Sequence, residues 1–567
     1  MHKLFLPFGN VDNFRKKKLK SMSGSHSVKT CRACRKQFKP ANPAFEFCSK
    51  DCAAKLQNAV TAAPVKLVVP PSTVIEQRCA PVKGPQKVLI ASATLDLIRE
   101  ILIHREWSNI RRNFCTTLKC WKFFPKLGPK KEEHFERKLW EMLAKWILCQ
   151  TARQSSLEAK TTEPDEPTTF FPKEIKTYDE QLLRDVSILL EFRSHDTVKA
   201  LHSLLETHNL GLKCRKAWLK VVEGLPNTRI LRMENTTLDR AHSADDSSQT
   251  IQGTASNLEL EFEYTCGGTL KKEKLGVAVP LPTYQKLYMA YQHNTDDEED
   301  EFLKRYATVL IRYLRTLSSG SVQLCADTEL KQSFVRSHQY CVVDLCASPI
   351  NAFWVPTLGP EYFFFCSAFY DIDYHFGSIG SIFDPRAVDY LKGRLFDTSE
   401  SPNWIFTLDI PYDEDFAESF FGKYFFEDNF LLKLREDTYF EDKNISFIAV
   451  LPHWWDLRFK MTGRSGPKAE DVGTYGHNHG PEVVWTWVET FVQCPDVTYH
   501  AFIPKSNYVY YSSETNSAMP NVVDTEVFSL ELRARSGAGV HATRISDVLE
   551  STYGARRPPL GTLTPQS

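Results

Sequence analysis

The sequence predicts an α/β chain: a sheet domain covered by helices, a mainly helical region upstream of it, and a small cysteine module near the N-terminal end. Three observations carry this. Between about 90 and 320, apolar residues recur at helical spacing, as in Leu95, Leu97, Ile98, Ile101 and Leu102, and in Phe135, Leu139, Leu143, Trp146 and Ile147. From 340 onward, short apolar runs lie between polar segments: Tyr340–Val343, Tyr362–Phe365, Trp404–Leu408, Phe447–Leu451 and Tyr499–Ile503. Runs of this length read as strands buried on both faces, and the gaps between them leave room for crossover connections. Finally, Cys31, Cys34, Cys48 and Cys52 stand as two close pairs in a stretch too short to build a core.

Composition sets the outer limits. The chain has 567 residues, 70 Lys+Arg against 70 Asp+Glu, and 42% hydrophobic residues. That suits roughly two to four domains and excludes global disorder, collagen-like and coiled-coil classes. The longest apolar stretch, Tyr362 to Tyr370, is about half of a membrane-spanning helix, so a soluble chain is expected. Charge is uneven: residues 1–60 hold thirteen Lys+Arg and three Asp+Glu, and an acidic run occupies Asp296–Glu301. Fifteen cysteines at irregular spacing do not suggest a disulfide framework, and the opening residues lack a signal-peptide run, so a reducing compartment is expected. Arg15-Lys16-Lys17-Lys18-Leu19-Lys20 reads either as a nuclear import signal or as a disordered basic tail.

In order, residues 1–27 read as a disordered basic tail, 28–58 as the cysteine module, and 59–89, with Pro64, Pro70, Pro71, Pro81 and Pro85, as a linker. Residues 90–320 form the mainly helical region, with helices from about 90, near 135–147, over 177–223 and around the acidic run. Within it Leu258, Leu260, Phe262 and Tyr264 alternate with glutamates before Gly267-Gly268, the pattern of a strand entering a hairpin. Residues 321–535 form the sheet domain and 536–567 a disordered tail.

Two places carry chemistry. Cys31-x2-Cys34-x13-Cys48-x3-Cys52 can surround one tetrahedral Zn2+; four thiolates leave no open position, so the metal would be structural and would supply folding energy. Arg32, Arg35, Lys36 and Lys39 suit the module to docking RNA or protein. The second place is Asp409-Ile410-Pro411-Tyr412, directly after the run Trp404–Leu408. Amino-group methyltransferases carry an [Asn/Asp/Ser]-x-Pro-[Tyr/Phe] string there. An adenine amino group is a poor nucleophile because its lone pair is delocalised. Asp409 and the Ile410 carbonyl can accept its two N–H groups and aim the lone pair at a methyl donor. Pro411 fixes the turn, and Tyr412 can stack on the extruded base. Alone, the four-residue string is a weak signal.

Its surroundings resemble Rossmann-like methyltransferases. Cys341–Asp344 reads as a first strand, and the turn Ala347-Ser348-Pro349 after it would support the carboxylate and amine of S-adenosyl-L-methionine. No G-x-G-x-x-G is present there. Asp371, after the second strand, can bind ribose hydroxyls, and Phe376-Gly377-Ser378 offers close backbone approach to a ligand. Together, Cys346-Ala347-Ser348-Pro349-Ile350-Asn351, Phe365–Asp373, Phe376–Ser378 and Phe447–Trp454 resemble the phosphorylated CTD-interacting factor family, cap-specific adenosine-N6 methyltransferases. That resemblance covers about 300–530. It implies an S-adenosyl-L-methionine-dependent mRNA methyltransferase, RNA-binding and nuclear, forming N6-methyladenosine next to the 7-methylguanosine cap. The family's N-P-P-F falls where Asp409-Ile410-Pro411-Tyr412 stands; Asp still accepts and Tyr still stacks. The string is also similar to the N-[I/L]-P-[Y/F] of ribosomal-RNA adenine dimethylases, which raises the expectation of two methyl groups. No WW-like pair of tryptophans stands near the N-terminal end; the zinc module is expected in its place.

Residues 105–131 hold eight Lys or Arg, one acid, and Trp107, Phe114, Trp121, Phe123 and Phe124. Such a mixture suits phosphates and bases, or equally a helix pair whose aromatics are core. His477-Asn478-His479 reads as a polar loop. The partners expected are capped RNA and transcription machinery, with no membrane. The competing reading is a catalytically inactive methyltransferase-fold protein that binds capped RNA or transcription machinery; a third is a DNA adenine methyltransferase.

Overall fold

The upstream region is organised around one long helix. α1 (Ala93–Lys119) starts at Ser92, whose hydroxyl accepts the Leu95 N–H at 3.3 Å. Its apolar residues come at spacings of about three and four, and Leu97, Ile101, Trp107, Ile110, Phe114 and Leu118 are all buried. Leu95, expected in this stripe, is 40% exposed. α2 (Pro129–Glu158), α3 (Glu180–Leu189), α4 (His195–His208) and α5 (Leu210–Gly224) follow. Asn209 joins α4 to α5 at φ 49°, a backbone region that asparagine tolerates, and its side chain caps α5. α1 packs against α5 and against α7 (Phe302–Leu310), which continues as a π-helical stretch, Ile311–Leu317. α6 (Leu281–Asn294) precedes α7.

The computed structural model describes residues 29–30, 37–38, 92–158, 170–172, 180–190, 194–235, 256–279, 281–295, 301–317, 324–326, 328–338, 340–354, 362–384, 386–396, 403–410, 417, 420–421, 425, 430–441, 443–452, 494, 496–512, 517–520, 524–532 and 545–553. One compact unit, Cys79–Asp245 with Ala255–Ser567, holds both helices and sheets; the other is Met1–Arg78 with Asp246–Thr254. In the latter, β1 (Lys29–Thr30) pairs antiparallel with β2 (Gln37–Phe38).

In the larger unit β3 (Thr228–Asn235), β4 (Ser256–Cys266) and β5 (Thr269–Val279) form an antiparallel ribbon. Gly267 and Gly268 turn β4 into β5 at φ 57° and 78°, values that favour glycine at both positions. β6 (Leu324–Cys325), β11 (Val509–Ser512) and β12 (Ser517–Pro520) make a second small sheet.

The main sheet has the order β10-β13-β9-β8-β7, with β7 (Cys341–Asp344), β8 (Asn403–Leu408), β9 (Asn444–Pro452), β10 (Val497–Ile503) and β13 (Thr525–Leu532). β7, β8 and β9 run parallel, whereas β13 is antiparallel to both its neighbours. Beyond β7, Phe365 bridges Asp344 and Ser378 bridges Phe365, both in the parallel sense. The chain therefore leaves β7 toward one side of the sheet and comes back on the other for β8 and β9. Side chains alternate between faces with the strand period. Val342, Ile405, Ile448 and Val450 face α8 (Thr328–His338) and α11 (Ile545–Tyr553). Val343, Phe406, Phe447 and Ala449 face α9 (Ala387–Phe396) and α10 (Phe430–Glu436). A third core joins the upstream helices to Ile350, Phe365, Phe369 and Phe376. Among the described residues, no helix is long and apolar enough to cross a membrane.

Candidate functional site

In open sheets of this kind, ligands bind outside the carboxyl ends of the strands, where the strand order reverses. Here that point lies between β7 and β8, and both strands lead into an aspartate. Asp344 is the last residue of β7, and Asp409 follows β8. Lys331 of α8 joins them: its Nζ donates to Asp344 Oδ1 at 2.7 Å and to Asp409 Oδ2 at 2.8 Å. All three side chains are nearly excluded from solvent.

The two carboxylates are used differently. Asp344 Oδ1 also accepts the Thr407 hydroxyl, and its Oδ2 accepts the Phe353 N–H at 2.7 Å. Asp409 Oδ2 also accepts the Ala326 N–H at 3.1 Å. Asp409 Oδ1 is buried and accepts no hydrogen bond among the described residues. Burial pushes the Asp409 carboxyl above the ordinary aspartate value; Lys331 pulls it back and Asp344 adds to the rise. Burial alone would lower the Lys331 ammonium, but Asp344 and Asp409 outweigh it and hold it well above its usual value. Cys325 and Cys346 lie in the same field; burial pushes the first up to about 12 and the second well above its usual value, which leaves both as unreactive thiols.

The loop after β7 is closed by side chains rather than by glycines. The Ser348 N–H and hydroxyl both donate to Asn351 Oδ1, at 2.6 and 2.9 Å, and the Ala347 N–H donates to the Cys366 carbonyl at 2.9 Å. Ser348 and Pro349 are buried, while Ala347 is half-buried. From α6, Lys286 Nζ donates to the carbonyls of Ile350 and Ala352 at 2.7 and 2.9 Å. Burial lowers its ammonium to about 8.

Asp371 and Phe376–Ser378 are engaged elsewhere in the fold. Asp371 Oδ2 takes Arg99 and Arg312, each at 3.2 Å. Arg312 also grips Glu100, and Arg305 pairs with Asp96. Phe376 lies in the core. A Cβ on Gly377 (φ 96°) would meet the Phe363 carbonyl oxygen at 2.8 Å, so this glycine permits close approach to the chain's own backbone. Ser378 Oγ shares a hydrogen bond with Ser367 Oγ at 2.8 Å. Thus Asp409, Ile410 and the loop Ala347–Pro349 lie at the ends of β8 and β7, while the side chains of Asp371, Phe376 and Ser378 serve packing and pairing. Pro411, Tyr412, His477, His479, Cys31, Cys34, Cys48 and Cys52 lie outside the described residues. Within 105–131, Trp107 and Phe114 are core, and Trp121, Phe123 and Phe124 are partly buried against it. Sequence reasoning did not single out Lys331 or Lys286. A lysine on an amphipathic helix gives no sign that it points inward.

Residues 283–465 match the family model described as phosphorylated CTD interacting factor 1 WW domain. The match supports kinship with the phosphorylated CTD-interacting factor family that the sequence motifs resemble. It covers a minority of the 567 residues and reaches from α6 to β9, so it includes Lys331, Asp344, Asp409 and the loop after β7. No curated protein sequence matches the chain.

Proposed function

We propose that the chain is a Rossmann-like, S-adenosyl-L-methionine-dependent methyltransferase that acts on the N6 of a cap-proximal adenosine in capped mRNA, in the nucleus. The observation that carries this reading is the buried Oδ1 of Asp409, unpartnered among the described residues, at the reversal point of the sheet and at the head of the string Asp409-Ile410-Pro411-Tyr412. An acceptor in that state suits an N–H donor such as an aromatic amine. The parallel strands β7 to β9 with helices on both faces, the family match, and the basic run Arg15–Lys20 support the same reading.

The residues fit a methyl donor at the loop after β7. Ala347, Ser348 and Pro349 would hold it, and the donor would supply an electrophilic methyl group on a sulfonium. Asp409 Oδ1 accepts one amine N–H and the Ile410 carbonyl the other, so the nitrogen lone pair points along the line of transfer. Pro411 shapes the turn and Tyr412 stacks the base. The similarity of this string to that of adenine dimethylases favours addition of two methyl groups. In the smaller unit, Cys31 and Cys34 fall between β1 and β2 in sequence; with Cys48 and Cys52 they make a donor set suited to one structural Zn2+. Asp371 Oδ2 is taken by Arg99 and Arg312, Phe376 lies in the core and Ser378 Oγ pairs with Ser367, so Asp371 Oδ1 and the backbone are what this stretch offers for donor contact. This favours, as a second reading, an inactive protein of the same fold that binds capped RNA or transcription machinery.

Methyl transfer from labelled donor to two short RNAs beginning with adenosine, one with a 7-methylguanosine cap and one with a triphosphate, tests the first reading. Cap-dependent transfer that is lost in Asp409→Ala is expected, with digestion of the product counting the methyl groups. Metal analysis of the same sample is expected to give one zinc per chain. A zinc-loaded, folded protein that transfers nothing overturns the reading, and donor binding by calorimetry then decides for or against the second.

A further inference from the structure

Asp344 and Asp409 share one ammonium in a site nearly excluded from solvent. Two carboxylates so placed cannot both stay ionised without a cation; one takes a proton. A protonated Asp409 would present a donor where an acceptor is needed. The other groups facing the pair put no second cation on Asp409. Cys325 and Cys346 remain thiols, and Lys286, whose ammonium acts on Asp344, gives its hydrogen bonds to the Ile350 and Ala352 carbonyls. Orientation follows from the same contacts. The Lys331 ammonium and the Ala326 N–H both bind Oδ2 of Asp409, which leaves Oδ1 as the open atom.

We propose that Lys331 is a positioning residue for the amine acceptor: it holds Asp409 as a carboxylate with Oδ1 open and ties it, through Asp344, to the loop after β7. The tie is direct, because the Asp344 oxygen not bound by Lys331 accepts the Phe353 N–H that closes that loop. An amide at 409 would turn its oxygen to the Lys331 ammonium and the Ala326 N–H and its NH2 outward, so only the carboxylate leaves an acceptor open. This inference rests on the methyl-transfer reading above.

The test is single-turnover methyl transfer to capped, adenosine-initiated RNA, followed against pH, for the wild type, Lys331→Met, Lys331→Gln, Lys331→Arg and Asp409→Asn. Thermal unfolding of each protein checks its fold. Lys331→Met is expected to raise the acid limb of the pH profile by about one to three units, the span a neighbouring opposite charge normally supplies. Lys331→Arg should reverse part of that shift. Asp409→Asn should lose most transfer, because its oxygen turns to the Lys331 and Ala326 donors and its NH2 faces the amine. An unshifted acid limb in Lys331→Met overturns the proposal. Full transfer by Asp409→Asn also overturns it, since the Lys331 contact would then not decide which atom is open. Should Lys331→Met fail to fold, Lys331→Gln decides on the same measure: a raised acid limb supports the proposal and an unshifted one overturns it. Absence of transfer by the wild type overturns the methyl-transfer reading, and this inference with it.

Discussion

Burial raises the Asp373 carboxyl to about 8, and the Tyr313 hydroxyl donates to its Oδ2 at 2.6 Å. Its unfolded value lies near 3.8. Between the two the folded chain holds one proton more than the unfolded chain, so stability is present at low pH and is lost as pH rises toward 8. The slope is at most about 1.4 kcal/mol per pH unit for one group. Asp373→Asn keeps an oxygen for Tyr313 and removes the titration. Urea unfolding at about pH 5 and about pH 7.5 should therefore show a smaller difference in the variant than in the wild type; equal differences would count against this assignment. The neighbouring Asp371 is anchored by two arginines instead, so two carboxylates two residues apart meet opposite environments.

Lys286 acts on an element rather than on a single atom. It is the tether from α6 to the loop after β7, and Lys286→Met leaves the Ile350 and Ala352 carbonyls without their donor. The expected cost is about 2–6 kcal/mol, at about 1–3 kcal/mol for each of two buried acceptors left unsatisfied, measured by denaturant unfolding. A change within error would mean that the loop is held by the Ser348–Asn351 and Asp344–Phe353 bonds alone. Elements of this kind were only partly legible in the sequence. Four of the five apolar runs mark β7, β8, β9 and β10; β7, β8 and β9 are buried on both faces and have to be apolar, whereas β10, at the sheet edge, buries alternate residues; the run Tyr362–Phe365 makes only the bridge at Phe365. The Gly267-Gly268 turn was legible because both positions take positive φ. β13 was not singled out as a strand. It is central and buried, yet it carries Thr525, Glu526 and Ser529 inward. Their partners, Tyr510, His500 and Thr498, come from other segments, and no local pattern foretells such pairs. The same holds for Lys331, whose two partners stand thirteen and seventy-eight residues away. The π-helical stretch after α7 likewise has no sequence mark, although it presents consecutive residues, Arg312 and Tyr313, to Asp371 and Asp373.

Across the larger unit, the upstream helices and the sheet share their interior. Phe170 stacks on Phe369 with ring centres 6.0 Å apart, and Arg312 joins Glu100 of α1 to Asp371 beside the sheet. The site at the ends of β7 and β8 is therefore braced from the helical side, by Lys286 of α6, as well as by its own strands. The position of β13 has a consequence of another kind. In space this strand separates β9 from β10, yet it is synthesised after both. While the chain is being made, β9 presents an open edge and β10 has no neighbour until residue 525 and those after it arrive. An open edge of this kind is an invitation to foreign strands, and the wait ends only after a long stretch of translation at about 5–20 residues per second. A chain stopped before Thr525 should still contain Lys331, Asp344 and Asp409, but should associate or bind chaperones rather than remain a soluble monomer, as sedimentation of the truncated product would show. Of the described strands, the last to leave the ribosome is thus the one that ends the nascent chain's exposure to its neighbours.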